Sequence, residues 1–205
     1  MTDKKNVYVY ISRVPAVLPR KALFPPERLS EIMRCKSDSL GRQKYRAWEL
    51  LEEAFRQVFS KNLTELGLRK NDTGKWVSDK GFYFSISHCE RLVAVAVSSA
   101  PVGVDIEEAR AIKAGFERKS LTEEELSEFG RLTEGERDAY LLRRWTVKES
   151  IFKLSNESIF RPTGISGEGF YTESREFELD ERRFIISASA NSPAPIIFNL
   201  SDALE

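Results

Sequence analysis

Two acidic residues stand two positions apart in the segment 102–107, which reads Val-Gly-Val-Asp-Ile-Glu. On an extended chain such residues project from one face, so Asp105 and Glu107 are expected to lie side by side. Carboxylate oxygens are ligands that Mg²⁺ prefers, and the pattern therefore indicates a magnesium site. The alternative is a strand edge whose acidic side chains face water; the apolar residues at the alternate positions weaken this alternative but leave it open.

A third carboxylate comes with a cation in the segment 134–154, which is predicted to be a helix. Trp145, Glu149 and Lys153 are spaced by four residues and therefore share one helix face. The alternative is an ordinary Glu-to-Lys pair on a solvated helix, worth about 0.2–0.5 kcal/mol. Spacing alone leaves both interpretations open.

The single histidine, His88, follows a predicted strand. A lone histidine in such a place is typical of a structural role, so the residue by itself indicates no chemistry. A Ser-His-Asp hydrolase is set aside, because the sequence has no Gly-x-Ser-x-Gly motif.

Taken together, the segments 102–107 and 145–153 resemble the two signature blocks of the phosphopantetheinyl transferases. Upstream, 84–88 (Phe-Ser-Ile-Ser-His) resembles a further block of the monomeric, Sfp-type branch, and Gly74-Lys75 resembles a Gly-Lys-Pro element that precedes it. The four blocks occur in the family's order. The chain is therefore identified as resembling the Sfp-type 4′-phosphopantetheinyl transferase family.

The resemblance implies an α+β fold, a monomeric pseudo-dimer of two similar α+β lobes with coenzyme A between them. We expect an N-terminal lobe over 1–100 and a C-terminal lobe over 101–205 that carries the acidic metal site. The implied activity is a holo-[acyl-carrier-protein] synthase reaction. It transfers 4′-phosphopantetheine from coenzyme A to a serine of an apo acyl or peptidyl carrier protein and releases adenosine 3′,5′-bisphosphate. The alternatives are a Mg²⁺-dependent phosphohydrolase acting on a nucleotide pyrophosphate and a non-catalytic module that binds carrier proteins.

The resemblance also assigns roles to particular side chains. It makes Asp105, Glu107 and Glu149 the ligands of Mg²⁺, and Glu149 and Lys153 the catalytic residues. Either Glu149 or a water on the metal accepts the proton of the carrier serine. The residues implied to bind coenzyme A are Arg42, at the 3′-phosphate, together with Lys75, Ser87, His88 and Lys153.

The chain departs from the family pattern at two positions near the nucleotide. Trp76 stands where the family usually has proline, and Cys89 stands where it often has serine. Both departures bear on the contacts to the adenine side of coenzyme A. The acidic set is unaffected.

Three helical patterns are expected to position these residues. Apolar residues recur at three- and four-residue steps over 41–60, and Thr122 with Glu125 forms a capping box that opens a second helix. The third helix is the segment 134–154. In the first turns of the helix at 41–60, Arg42 and its basic neighbours are either solvated charges or an anion site.

Strand patterns lie between and after these helices. The runs 82–87 and 92–97 predict a hairpin, and 101–107 predicts the next strand. The last fifty residues predict three short strands with intervening turns, at 176–179, 184–187 and 196–198.

The composition narrows the possible partners. Among 205 residues, 32 Lys and Arg balance 32 Asp and Glu, so no net field favours nucleic acid. The sequence contains no apolar run of about 18 residues, the length that a membrane span needs. The only two cysteines, Cys35 and Cys89, are expected to be reduced thiols. We therefore expect a cytoplasmic protein that binds neither nucleic acid nor membrane.

Overall fold

The computed structural model describes residues 6–17, 24–155 and 157–199. The helices are α1 (Pro26–Met33), α2 (Asp38–Phe59), α3 (Glu117–Ser120), α4 (Glu123–Phe129) and α5 (Glu134–Leu154). The strands are β1 (Val7–Arg13), β2 (Leu68–Lys70), β3 (Trp76–Ser78), β4 (Tyr83–His88), β5 (Leu92–Ser98), β6 (Val102–Glu108), β7 (Tyr171–Leu179), β8 (Arg182–Ala190) and β9 (Ile196–Asn199). The α+β class predicted from the sequence is confirmed.

The strands form two larger sheets and one short ribbon. In the first sheet the order is β4-β5-β1-β9, with antiparallel pairing except that β9 runs parallel to β1. The second sheet is antiparallel with the order β6-β8-β7, and β2 pairs with β3. The last strand of the chain therefore belongs to the sheet that the first strand begins.

Two apolar cores separate these layers. One core lies between α2 and the first sheet, where Trp48, Leu51 and Phe55 pack with alternate valines of β5. The other joins the opposite face of the first sheet to the second sheet, where Val104 and Ile186 are buried. The helix α5 covers the remaining face of the second sheet.

The predicted helices are confirmed, with one shift in a boundary. α5 spans 134–154 as expected, and the capping box before α4 forms, with 2.9 Å from the Thr122 amide to Glu125 Oε2 and 3.3 Å from the Glu125 amide to Thr122 Oγ1. α2 begins three residues earlier than predicted, at Asp38. There the Ser37 hydroxyl caps the helix by accepting from the Leu40 amide at 3.2 Å.

The contact between α5 and the second sheet is unusually close. A Cβ atom on Gly103 of β6 would lie 1.8 Å from the carbonyl oxygen of Ser150, so only glycine fits there. Hydroxyl pairs fill the rest of the contact, with 2.8 Å between Thr146 Oγ1 and Ser187 Oγ and 2.6 Å between Ser150 Oγ and Ser189 Oγ. Small side chains thus hold the helix directly against the strands.

The three predicted strands near the C-terminus are present and longer than expected. The turn between β7 and β8 places Asp180 and Glu181 at positive φ. The division into lobes at residue 100 stays a prediction. β9, from the predicted C-terminal lobe, pairs with β1 in the first sheet. Within the described ranges, the structure contains no helix long and apolar enough to cross a membrane.

Candidate active site

Three of the residues singled out in the sequence meet where β4, β6 and α5 converge. Asp105 is 4% exposed, and its Oδ1 accepts from Lys153 Nζ at 2.6 Å and from the Ser87 hydroxyl at 2.7 Å. Lys153 also donates to Ser87 Oγ at 3.0 Å. We call these three residues the Asp105 cluster.

The backbone explains why the Asp105 cluster forms. Alternation along β6 turns Val104 and Ile106 into the apolar core between the sheets, so Asp105 faces α5. The hydroxyl of Ser85 on β4 accepts from the Val104 amide at 3.0 Å, which fixes the edge of β4 beside β6. Ser87, two residues further along β4, is thereby brought to Asp105.

The other two predicted carboxylates lie beside this cluster. Glu149 Oε2 is 3.8 Å from Lys153 Nζ. Burial raises the pKa of Glu149, Lys153 opposes the rise, and the negative charges of Asp105 and Glu107 add to it. Glu107 itself is paired with Arg110 at 2.7 Å. Three negative groups therefore act on one another at the same end of β6.

The residues present suit a divalent cation in type. Asp105 Oδ2 is buried and accepts no hydrogen bond from the part of the chain that the structure describes, which leaves a carboxylate oxygen free for a ligand. Oxygen donors are those that Mg²⁺ selects. Among residues 6–17, 24–155 and 157–199, however, no three His, Cys, Asp or Glu side chains converge as a ready metal site. The Lys153 ammonium neutralises Asp105 in this arrangement.

A cavity of about 500 Å³ opens next to the Asp105 cluster. Its polar wall contains four cationic side chains, of Arg28, Lys44, Lys75 and Lys153, and the imidazole of His88. Burial lowers the pKa of His88, and the nearby charges of Lys153, Lys44 and Arg28 lower it further. Burial and Lys153 likewise lower the pKa of Lys75. Such a wall favours an anionic ligand, which would offset the mutual repulsion of the cations.

Arg28 is held firmly in this wall. It is 8% exposed and lies over the Trp48 ring at 5.1 Å, and its Nη1 donates to Glu31 Oε2 at 2.9 Å. Its Nη2 donates to the backbone carbonyl of Lys44 at 3.3 Å. These two hydrogen bonds fix the position of Arg28, a cation that belongs to none of the sequence motifs.

Trp76, which replaces the usual proline, forms the aromatic part of the same cavity. Its ring meets that of Trp48 edge to face at 5.1 Å, and its indole N–H donates to Glu31 Oε2 at 3.4 Å. Burial acts to raise the pKa of Glu31, but hydrogen bonds from Lys70, Arg28 and Trp76 outweigh it and lower the pKa to about 2. Glu31 is therefore a fixed negative charge that orients Trp76 and Arg28.

The structure brings most predicted residues together and leaves one apart. Lys75 lines the cavity and donates to the backbone carbonyl of Lys153. Arg42 is not part of the cavity wall, and its Nε is buried without a hydrogen-bond partner among the described residues. Lys44, one half-turn further along α2, lines the cavity instead.

Four residues that line the cavity were not among the predicted site residues, and these are Arg28, Lys44, Trp48 and Trp76. Trp48 belongs to the apolar stripe of α2 and carries no separate signal. The tryptophan at position 76, where the resemblance leads us to expect proline, indicated that this residue lies near the nucleotide. The basic residues at the start of α2 indicated an anion site without saying which of them faces it.

Comparison with known proteins agrees with these motifs. Residues 101–187 match the family model described as 4′-phosphopantetheinyl transferase superfamily. The chain is 23% identical over 159 residues to 4′-phosphopantetheinyl transferase psf-1 of Bacillus pumilus, over 77% of this chain and 66% of that protein. It is 31% identical over 94 residues to 4′-phosphopantetheinyl transferase gsp of Aneurinibacillus migulanus, over 46% of this chain and 40% of that protein.

A third relative is 4′-phosphopantetheinyl transferase Sfp of Bacillus subtilis (strain 168), with 30% identity over 80 residues. That match covers 39% of this chain and 36% of the relative. The matched segments thus span less than two thirds of the length of each of these proteins.

Proposed function

We propose that this chain, whose residues 101–187 match the 4′-phosphopantetheinyl transferase superfamily, moves the phosphopantetheine arm of coenzyme A onto a serine of an apo carrier protein. The other product is adenosine 3′,5′-bisphosphate, and the protein acts as a monomer. The observation that carries the proposal is the Asp105 cluster beside a basic cavity of about 500 Å³. One end of this site suits a metal-bound pyrophosphate, and the other suits a nucleotide phosphate.

The cavity wall supports binding of coenzyme A. Lys44 and Arg28 offer cations to the phosphates at one end, and the Lys153 ammonium and the His88 imidazole offer hydrogen-bond donors at the other. Charge-assisted hydrogen bonds of this kind are stronger than neutral ones and fix orientation. Trp76 and Trp48 give the nucleotide side an apolar surface. Binding thus aligns the pyrophosphate with the Asp105 cluster before the carrier arrives.

The acidic residues would hold Mg²⁺, through Asp105, Glu107 and Glu149. When bound, the ion supplies Lewis-acid neutralisation of the pyrophosphate oxygens. Asp105 has a free buried oxygen for this purpose, while Glu107 must leave Arg110 and Asp105 must share its charge with Lys153.

The carrier serine attacks the phosphorus that bears the pantetheine arm and loses its proton as the new P–O bond forms. Glu149 is the residue that we propose as acceptor, because its carboxylate lies 3.8 Å from Lys153, the cation that faces the pyrophosphate. The bond to the other phosphate breaks, and that phosphate leaves with the electron pair. Lys153 donates to the oxygens that gain this charge.

Mass spectrometry of an apo carrier tests the proposal directly. With the protein, coenzyme A and Mg²⁺, the carrier is expected to gain one phosphopantetheine. Coenzyme A breakdown without carrier would instead indicate a phosphohydrolase, and binding of the carrier without mass increase would indicate a non-catalytic module. No increase with several acyl and peptidyl carriers, with the protein folded, would refute transfer.

The metal ligands are tested by separate substitutions. Asp105→Ala, Glu107→Ala and Glu149→Ala are each expected to reduce transfer to background, because each removes an oxygen ligand from one ion. Circular dichroism controls for folding. Normal rates in any two of the three at saturating Mg²⁺ would show that these carboxylates are not the ligands.

A further inference from the structure

Lys148 is a buried ionisable residue that the proposed reaction does not use. It precedes Glu149 on α5, and it is 1% exposed. Burial of an ammonium group is costly unless the group is paired and hydrogen-bonded, and burial accordingly lowers the pKa of Lys148. The arrangement of its partners therefore indicates what the residue does.

Two segments outside α5 meet at this ammonium. Lys148 Nζ lies 2.6 Å from Glu125 Oε2 on α4 and donates to the carbonyl oxygen of Pro162 at 2.8 Å. Glu125 is fixed by the capping box, since the same oxygen accepts from the Thr122 amide at 2.9 Å. The Pro162 carbonyl also accepts from the Ile165 amide at 3.1 Å. Lys148 thus joins α4, α5 and the segment 157–164.

The segment 157–164 is part of the cavity. Glu157 and Ser158 line it together with Lys153. Phe160 packs between Trp145 at 5.2 Å and Phe152 at 5.0 Å, centroid to centroid. Apart from one short 3₁₀ turn, the segment has no helix or strand hydrogen bonds, so its position depends on such side-chain contacts.

Stability alone does not explain this arrangement. A buried ion pair is often no more stabilising than a well-packed apolar pair of similar volume, because desolvation offsets the attraction. The bond to Pro162 adds something that an apolar side chain cannot provide, which is a directional link to the cavity wall. We propose that Lys148 is a positioning residue that fixes the segment 157–164 as a wall of the cavity.

This proposal rests on the proposed function only for the identity of the ligand, coenzyme A. Its structural part concerns the mobility of one segment and is measurable in the protein without substrate. Hydrogen exchange of the amides in 157–164 reports that mobility. Failure of the transfer reaction would therefore leave the exchange result unaffected.

The variant Glu125→Gln/Lys148→Met separates positioning from stability. It removes both charges, whereas glutamine keeps the capping box and methionine keeps the apolar stem. We expect exchange in 157–164 to become about tenfold faster or more, with little change in α2 and the first sheet. In the transfer assay, KM for coenzyme A should rise about tenfold while kcat changes less than threefold.

The matched control is Arg144→Met, which removes a cation from the same helix. Arg144 lies 3.8 Å from Glu125 and 3.2 Å from Glu128 and belongs to the outer side of this contact. Exchange in 157–164 and KM should stay as in the unmodified protein.

Unchanged exchange in 157–164 in the folded double variant would overturn the proposal. If the double variant does not fold, hydrogen exchange in the unmodified protein tests the proposal instead. Amides in 157–164 are expected to exchange more slowly than those of the turn 191–195, and equal rates would also overturn the proposal.

Discussion

The two long helices pack on their sheets in different ways. α2 buries large apolar side chains such as Trp48, Leu51 and Phe55 against the first sheet. α5 meets the second sheet through a glycine and hydroxyl groups, of which Gly103 and Ser150 are the closest pair. An interface of large side chains can adjust by small rotations, whereas a contact between a glycine and a backbone carbonyl sets one distance.

This difference matches what each helix offers to the site. α5 carries Glu149 and Lys153, and the hydrogen bond from Lys153 to Asp105 requires an accurate separation of α5 from β6. α2 contributes Lys44 to a wide cavity, where charge acts over several ångströms. We infer that the packing of α5 fixes the positions of Glu149 and Lys153, whereas α2 supplies positive charge to the cavity.

The largest expected effect tests the close contact of α5. Gly103→Ala should lower the free energy of unfolding by about 3 kcal/mol or more, because its Cβ would lie 1.8 Å from the Ser150 carbonyl and move the helix. Urea unfolding measures the change. Gly41→Ala in α2 is the matched control, because there a Cβ would meet its nearest atom at 3.8 Å, and alanine favours helices. Equal losses in both variants would contradict the comparison.

The second prediction concerns the cation on α5. Lys153→Met should lower kcat about a hundredfold or more, since Lys153 faces the oxygens that gain charge. The melting temperature should also fall, because Asp105 loses the ammonium group at 2.6 Å. Initial rates and thermal unfolding give the two values.

Lys153→Arg keeps the charge and serves as the control for the loss of the cation. It should recover much of the stability but little of the rate, because the larger guanidinium changes the geometry around Ser87. A kcat of Lys153→Met within about threefold of the parent would show that Lys153 only pairs with Asp105 and does not act in the reaction.

The third prediction concerns the cations of α2. Lys44→Ala should raise KM for coenzyme A about tenfold and KM for 3′-dephospho-coenzyme A much less, because the lost bond matters only when its phosphate is present. Arg42→Ala, at a position outside the cavity wall, should change both values equally. If Arg42→Ala instead raised KM for coenzyme A more than KM for 3′-dephospho-coenzyme A, and Lys44→Ala changed both equally, Arg42 would have the role that the family resemblance gives it.

The smallest effect is a pH dependence of stability at Glu149. Its folded-state pKa is raised above the ordinary value of 4.5, so stability is lost as the pH rises from the unfolded-state pKa to the raised pKa, and the full cost of ionising Glu149 is present above it. Without divalent cations, Glu149→Gln should therefore melt about 2–4 °C higher than the parent at pH 8. The difference in melting temperature between the variant and the parent should disappear as the pH falls below the pKa of Glu149 in the unfolded state. A constant gap would show that the change acts through packing.

Much of the secondary structure could be read from the sequence, because local patterns determine it. The helix at 134–154 and the capping box at Thr122 depend on residues within a few positions of one another. The destination of β9 could not be read, since its pairing with β1 joins strands from opposite ends of the chain. The close approach at Gly103 also depends on a helix more than forty residues away.

The candidate site shows the same limit. Alternation placed Asp105 and Glu107 on one face of β6, and helical spacing placed Glu149 beside Lys153. The i,i+4 spacing also predicted Glu149 as the partner of Lys153, but the shorter contact is with Asp105, which only the packing of α5 on β6 determines. The roles assigned to Arg42, Lys75, Ser87 and His88 remain predictions.

The pairing of β9 with β1 has a consequence for synthesis of the chain. Residues 7–13 leave the ribosome well before residues 196–199, and one edge of their strand has no partner until those residues follow. The first sheet therefore completes its pairing only after nearly all of the second sheet has been made. During translation β1 exposes an unpaired edge, to which chaperones or other nascent chains have access. The pairing of β9 with β1 is expected to be the slowest step of folding, because contacts of long sequence separation form late.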